Sequence, residues 1–101
     1  QRRAAAVRVA DQLADYILSL VEATRDSSRF LLGVSTWGAQ NLYRATQAMA
    51  LCEGRAFAVP DDVQRVAAPV LAHRVMLKAG EGLEGAVTAI RSLVASVPVP
   101  V

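Results

Sequence analysis

Two glycine-rich segments have residue types and spacings that could bind phosphate. Residues 33–40 have the glycine spacing of a Walker A loop, but Ala and Gln occupy its last two positions. A working loop needs a lysine there for the β- and γ-phosphates and a hydroxyl for magnesium, so this match is coincidental. Residues 80–85 match GxGxxG, but Glu81 and Glu84 would repel a pyrophosphate. Neither segment is therefore expected to work as the phosphate-binding loop that its glycine spacing suggests.

The other candidates for chemistry are one cysteine, one histidine and two adjacent carboxylates. Cys52 and His73 supply at most two metal ligands, fewer than a four-ligand zinc site needs. A nucleophilic pair of Cys52 and His73 is a weaker interpretation than a structural role for both residues. Cys52 falls on an apolar helical face, where cysteines are usually buried and inert. For His73 we expect a packing or helix-end role. Asp61 and Asp62 would point apart on a helix, so we interpret them as caps. We therefore predict no catalytic and no metal-binding residue.

The composition predicts one helical domain. The 101 residues are 53% hydrophobic and 20% charged, which is enough apolar material to close a core, and the length suits a single domain over residues 1–101. Aromatic residues make up 5%, and the apolar content is mostly Ala, Val and Leu. That mixture favours packed helices over an aromatic-rich sheet.

Charge and cysteine content limit the function classes. The net charge of +2 comes largely from Arg2, Arg3 and Arg8, so the remainder is nearly neutral and no nucleic-acid partner is expected. DNA binding through these arginines is kept as one hypothesis, and it predicts an affinity for DNA that falls steeply with salt concentration. The single Cys52 cannot form an internal disulfide, which predicts a reducing cytoplasm. No apolar run is long enough to span a bilayer.

Helical periodicity predicts four helices. The first begins at Asp11 and ends near residues 24–25, with an apolar stripe of Leu13, Tyr16, Ile17, Leu20 and Val21. The second is capped by Ser35 or Thr36 and ends at Gly54. Its predicted inner face consists of Ala39, Leu42, Thr46, Met49, Ala50 and Cys52.

The third helix is predicted to begin at Pro60, because proline suits a first turn, and Pro69 should force a kink or a restart. The fourth has a predicted apolar stripe of Leu83, Val87, Ile90 and Val94, and ends before Val97.

Short extended segments should join these helices. Residues 7–9 are predicted to be extended, residues 29–32 to be an apolar connector and residues 78–82 to be a loop. Residues 75–77 could pair with residues 57–59 as a small two-stranded hairpin. The predicted fold class is therefore all-α, a four-helix bundle with this hairpin.

A series of short motifs resembles the C-terminal helical lid subdomain of MoxR-type AAA+ ATPases. The match covers nearly the whole chain from Val7 onward, and its motifs are specific in combination rather than singly. They are LGVST (residues 32–36), RA (44–45), AMAL (48–51), GRAFAVPDDV (54–63) and VLAHR (70–74). The resemblance implies a helical lid that belongs to a longer ATPase chain.

In that family a Walker-type α/β subdomain precedes the lid, and ATP with Mg²⁺ lies between the two. The resemblance thus implies that this chain forms one wall of an ATP site and part of a ring interface, with Ser35, Thr36 and Trp37 at the nucleotide. It also implies a homo-oligomeric ring that remodels or activates partner proteins, including proteins with von Willebrand A domains. The chain alone, without Walker motifs, should not be an enzyme.

Trp37 departs from the family pattern. It occupies the position of the sensor 2 arginine, which reaches the γ-phosphate in the family. An indole offers one N–H and an apolar plate, so it cannot replace a guanidinium electrostatically. Arg44 lies two turns further on, about 10 Å along the axis, and is a poor replacement. Trp37 could stack near the base, accompany weak or absent hydrolysis, or pack under a neighbouring subdomain, and we favour packing with altered or weak hydrolysis.

A second function class also fits the sequence. The domain could be a nucleotide-independent helical module that binds partner proteins. Its contact would then be the small-residue face of the second helix or the Val/Pro-rich tail. Partner binding that does not depend on nucleotide would favour this alternative.

Overall fold

The structure is a computed structural model that describes residues 6–26, 30–32, 35–74, 76–77 and 82–100. Its four α-helices are α1 (Asp11–Asp26), α2 (Thr36–Cys52), α3 (Pro60–Leu71) and α4 (Gly82–Ser96). Two short strands are β1 (Phe30–Leu32) and β2 (Met76–Leu77), and a 3₁₀ turn (Ala72–Arg74) follows α3. The all-α fold class is therefore confirmed. Within the described ranges no helix is long and apolar enough to cross a membrane.

Each helix contributes at least one large, completely buried side chain to the core. Leu20, Leu42, Leu71 and Ile90, from α1 to α4 in order, are all completely buried. The whole predicted stripe of α1 is buried around Leu20, because its spacing places those residues on one side of the helix. Small residues such as Ala50 and Ala67, both fully buried, let the helices approach closely.

The ends of α2 follow the predicted caps. Ser35 is the N-cap, and its hydroxyl accepts a hydrogen bond from the Gly38 N–H at 3.4 Å. At the other end Gly54 adopts φ +75°, a conformation that suits glycine. The N–H groups of Gly54 and Arg55 donate to the carbonyls of Leu51 and Ala50, both at 2.9 Å, in a Schellman motif. This motif fixes the position at which Arg55 leaves the helix.

The third helix begins at Pro60 as predicted, but Pro69 does not restart it. The helix continues through Pro69 to Leu71 and then tightens into the 3₁₀ turn that contains His73. Pro69 is exposed, which keeps its ring on the solvent side of the last turn. Of the two predicted effects of Pro69, a kink or a restart, the restart was therefore wrong.

The predicted strand pairing was also wrong. Strand β2 pairs antiparallel with β1, with Phe30 opposite Leu77 and Leu32 opposite Met76. Residues 29–32 were expected to be only a connector, whereas Phe30–Leu32 is a strand. Phe57 instead forms an isolated parallel bridge with Arg8, which confirms that the segment around Arg8 is extended. The small sheet thus joins distant parts of the chain and is not a hairpin.

The inner face of α4 differs in part from the prediction. Ile90 is fully buried, but Leu83 is half exposed, and the other buried residues of the helix are Ala86 and Ala89. The helix ends at Ser96, before Val97, as predicted. The predicted loop over residues 78–82 lies outside the described residues apart from Gly82, which is the first residue of α4.

Candidate functional site

The predicted site residues form the open first turn of α2. Ser35, Thr36 and Trp37 are consecutive and exposed, and the Trp37 side chain is 71% exposed. No acidic residue lies in this turn, so nothing offsets the positive end of the helix dipole. The turn therefore presents backbone N–H groups and a large aromatic ring to solvent.

This turn lacks the side-chain cation that a γ-phosphate contact requires. The Ser35 hydroxyl already accepts the Gly38 N–H, and the Trp37 indole carries no charge. The residues at 35–37 therefore do not fit the phosphate contact of the family's arginine, although the turn could still form an uncharged wall. In the described part of the chain, no group of three or more His, Cys, Asp or Glu could hold a metal ion.

The arginines near α2 and α3 differ in whether they form ion pairs. Arg55 is paired with Asp62, and Arg65 is paired with both Glu53 and Asp61. Arg44 is exposed and forms no ion pair with another described residue. Because Arg44 follows Trp37 by seven residues, the two lie on nearly the same face of α2, about 10 Å apart along its axis.

A groove lies beside this face, between α1 and α2. Its volume is about 360 Å³. Its floor is mostly aliphatic, and its polar groups lie on the α2 side. The lining residues are Ala14, Ile17, Leu18, Thr36, Ala39, Gln40, Tyr43 and Arg44. Thr36 and Arg44 thus border one cavity, which the sequence did not predict.

The turn between α2 and α3 is held by one buried carboxylate. Asp62 is completely buried, and its two oxygens accept hydrogen bonds from Arg55 Nη1 and Nη2, both at 2.7 Å. The same carboxylate accepts the backbone N–H of Val59 at 2.8 Å, which caps α3. The hydrogen bonds from Arg55 lower the pKa of Asp62 more than its burial raises it, and they raise the pKa of Arg55. The predicted capping role of Asp62 is confirmed, whereas its pairing with Arg55 was missed.

The remaining candidates do not form a reactive site in the described part of the chain. Cys52 is exposed, so the expectation that it lies on a buried apolar face was wrong. His73 is exposed in the 3₁₀ turn at the end of α3, which agrees with a helix-end role. Neither side chain forms a hydrogen bond or ion pair with a described residue. Arg2 and Arg3, which the DNA-binding hypothesis requires, lie outside the described residues.

Gln47 was not predicted as a structural residue. It is buried on α2, and its Nε2 donates to the Val7 carbonyl at 2.9 Å. Its place three residues before Ala50, which belongs to the predicted inner face, was the signal that could have identified it. This bond holds the extended N-terminal segment against the second helix.

The fold and its motifs define a helical lid of the AAA type. Residues 22–92 match the family model described as the AAA lid domain, so the chain belongs to this family. It is similar to the protein YeaC of Bacillus subtilis (strain 168), with 39% identity over 103 residues that cover all of this chain and 32% of that protein. It is also similar to Protein MoxR of Paracoccus denitrificans, with 41% identity over 78 residues, 64% of this chain and 23% of that protein.

A solved structure has the same fold. The structure of a "putative ATPase" from Cytophaga hutchinsonii superposes with a TM-score of 0.86 at 30% identity, over 99% of this chain and 34% of that one. These comparisons confirm the resemblance to the lid of MoxR-type AAA+ ATPases. The chain spans about a quarter to a third of the length of the relatives that it matches.

Proposed function

We propose that residues 1–101 are the lid subdomain of a MoxR-like AAA+ ATPase and form one wall of its ATP site. The observation that carries this proposal is the structural match, which extends over 99% of the chain at a TM-score of 0.86 to part of a longer ATPase chain. The exposed first turn of α2, with Trp37, is the wall in this proposal. Exposure of so large an aromatic ring is explained if a neighbouring subdomain covers it.

The lid closes over the nucleotide in this account without placing a charge at the γ-phosphate. The uncharged Trp37 side chain packs against the neighbouring subdomain, and hydrolysis is slow because the arginine of the family pattern is missing. ATP and Mg²⁺ would then be held mainly by the nucleotide-binding subdomain. The absence of a side-chain cation at residues 35–37 supports this assignment of ATP and Mg²⁺ binding to the nucleotide-binding subdomain.

The assembly and partners follow from the family. In our proposal the ATPase forms a homo-oligomeric ring, with this lid at part of the ring interface. The ring acts as a chaperone that remodels or activates other proteins, including proteins with von Willebrand A domains. We place it in the cytoplasm, because the single cysteine cannot form an internal disulfide.

The test compares the full-length ATPase with a version that lacks the lid. ATP affinity and steady-state hydrolysis are measured for both proteins. We expect the intact protein to bind ATP, and the lid-deleted protein to bind it at least about tenfold more weakly, because one wall of the site is gone. Equal affinity would show that this domain is no part of the nucleotide site.

A further inference from the structure

The connector segment, residues 7–9, precedes α1 and is fastened to the body of the lid. The Val7 side chain is buried, and the Val7 carbonyl accepts a hydrogen bond from Gln47 Nε2 at 2.9 Å. Gln47 is itself buried on α2. Val9, at the other end of the segment, is partly buried and packs against the core. Both ends of the connector segment are thus held by the lid.

The middle residue of the connector segment is bonded to the turn between α2 and α3. The Arg8 N–H donates to the Ala56 carbonyl, and the Arg8 carbonyl accepts the Ala58 N–H, both at 2.9 Å. Asp62 fixes the same turn through its ion pair with Arg55 and its cap on α3. A hinge needs residues whose dihedral angles can change, and neither backbone group of Arg8 is free to follow such a change.

Helix α2 carries both the attachment of the connector segment and the proposed wall of the ATP site. Trp37 lies in its first turn, and Gln47 follows ten residues later, about 15 Å along the axis. One helix of 17 residues joins the two positions. The place that Trp37 takes relative to the connector segment is therefore set by the bond between Gln47 and Val7.

From this geometry we propose that the connector segment moves with the lid as one body, and that Gln47 is a positioning residue for the ATP site. This inference rests on the proposed function, in which the nucleotide-binding subdomain precedes the lid and the chain passes from one to the other through residues 7–9. Gln47 is buried and does not reach the nucleotide. It acts through Val7, because it fixes the point from which α2 holds its first turn over the site.

The first measurement is hydrogen exchange in the full-length ATPase, without nucleotide and with ATP and Mg²⁺. The Arg8 and Ala58 N–H groups report the two bonds between the connector segment and the turn. We expect both amides to be protected in both states, with exchange rates that agree within about twofold, because the bonds stay closed. A larger change at both amides would place bending within the connector segment and overturn the proposal.

The second measurement is steady-state ATP hydrolysis by the full-length ATPase and its Gln47→Leu and Thr46→Val variants. Thr46→Val is the matched control, because the Thr46 hydroxyl is also buried on α2 but donates to the Leu42 carbonyl of the same helix at 2.8 Å. All three proteins are assayed well below their unfolding temperatures, so that a loss of folded protein does not contribute.

The two variants should differ in KM. Gln47→Leu should raise the KM for ATP about three- to fivefold and leave kcat unchanged, since an uncharged wall binds the substrate and the transition state alike. Thr46→Val should change neither constant, because it leaves the connector segment attached.

The outcomes separate this proposal from the proposed function. If the unaltered ATPase binds no ATP, the proposed function fails and the positioning role fails with it. If the ATPase binds ATP but Gln47→Leu and Thr46→Val have equal KM values, Gln47 has only a structural role, and this proposal alone is overturned.

Discussion

Arg55 and Asp62 form a two-bond ion pair across the turn between α2 and α3. Both N–O distances are 2.7 Å, with the Asp62 side chain fully buried and the Arg55 side chain 27% exposed. Because Asp62 also accepts the Val59 N–H, one carboxylate both caps α3 and fixes the residue that leaves α2. This carboxylate thus ties the end of α2 to the start of α3.

Asp62→Ala should therefore lower the free energy of unfolding by about 2–3 kcal/mol, since it leaves a guanidinium and a helix N–H without their acceptor. Asp61→Ala is the matched control, because Asp61 is adjacent but exposed and forms a solvent-accessible pair with Arg65. Its cost should be below about 1 kcal/mol. Urea unfolding of the three chains measures both values. Equal losses would contradict the assignment of the turn to Asp62.

The same pair predicts acid sensitivity. The pKa of Asp62 is lower in the folded chain than in the unfolded chain, so its contribution to stability is complete above the unfolded value of about 3.9. That contribution is lost as the pH falls from there through the folded pKa. The thermal midpoint, measured from neutral pH into acid, should drop less steeply for Asp62→Asn than for the unaltered chain. Parallel curves would show that another carboxylate controls the acid transition.

Gln47 should hold the N-terminal segment in place. Gln47→Leu keeps the volume but removes the donor to the buried Val7 carbonyl, which should cost about 1–2 kcal/mol. Hydrogen exchange should accelerate at the Ala58 N–H, which donates to the Arg8 carbonyl at 2.9 Å, because the Arg8 segment is released. Gln40→Leu, at an exposed position on the same helix, should leave this amide unchanged. Unchanged exchange in Gln47→Leu would mean that the bridge is held by other contacts.

The sequence predicted elements better than it predicted contacts between them. The α1 stripe was predicted completely because local spacing determines it, and Gly54 marked the end of α2 because few other residues tolerate its φ. The partner of β2 could not be found this way, since β1 lies more than forty residues earlier and strands of two or three residues have little periodicity. The Arg55–Asp62 pair was missed because it needs the geometry of the Schellman turn.

The candidate site was predicted only in part. The motif resemblance predicted Ser35, Thr36 and Trp37 as nucleotide-site residues, and that assignment stays a prediction, although the structure shows that all three are exposed. The groove beside them was not predicted, because it forms only where α1 crosses α2. The expected burial of Cys52 and Leu83 was wrong because both lie near helix ends, where the inner face no longer contacts the core.

Trp37 should matter little for the stability of the isolated chain. Because its side chain is 71% exposed, Trp37→Ala should change the free energy of unfolding by less than about 0.5 kcal/mol. Leu42→Ala, at a fully buried position of the same helix, should cost about 3–5 kcal/mol. Thermal or urea unfolding gives both numbers. A large loss for Trp37→Ala would assign the indole to the core of the lid and remove it from a surface role.

The central claim is that this lid forms one wall of an ATP site without a cation at Trp37. Its most direct test is to measure ATP binding and steady-state ATP hydrolysis for the full-length protein that contains this lid and for its Trp37→Arg and Phe57→Arg variants. Phe57 is the matched control, because it is an aromatic residue with 53% exposure that lies beyond the opposite end of α2. We expect the unaltered protein to bind ATP but to hydrolyse it slowly. Trp37→Arg should raise the hydrolysis rate at least about tenfold, because it places a cation at the nucleotide. Phe57→Arg should leave the rate unchanged. Equal rates for all three proteins, or no ATP binding by any of them, would contradict it.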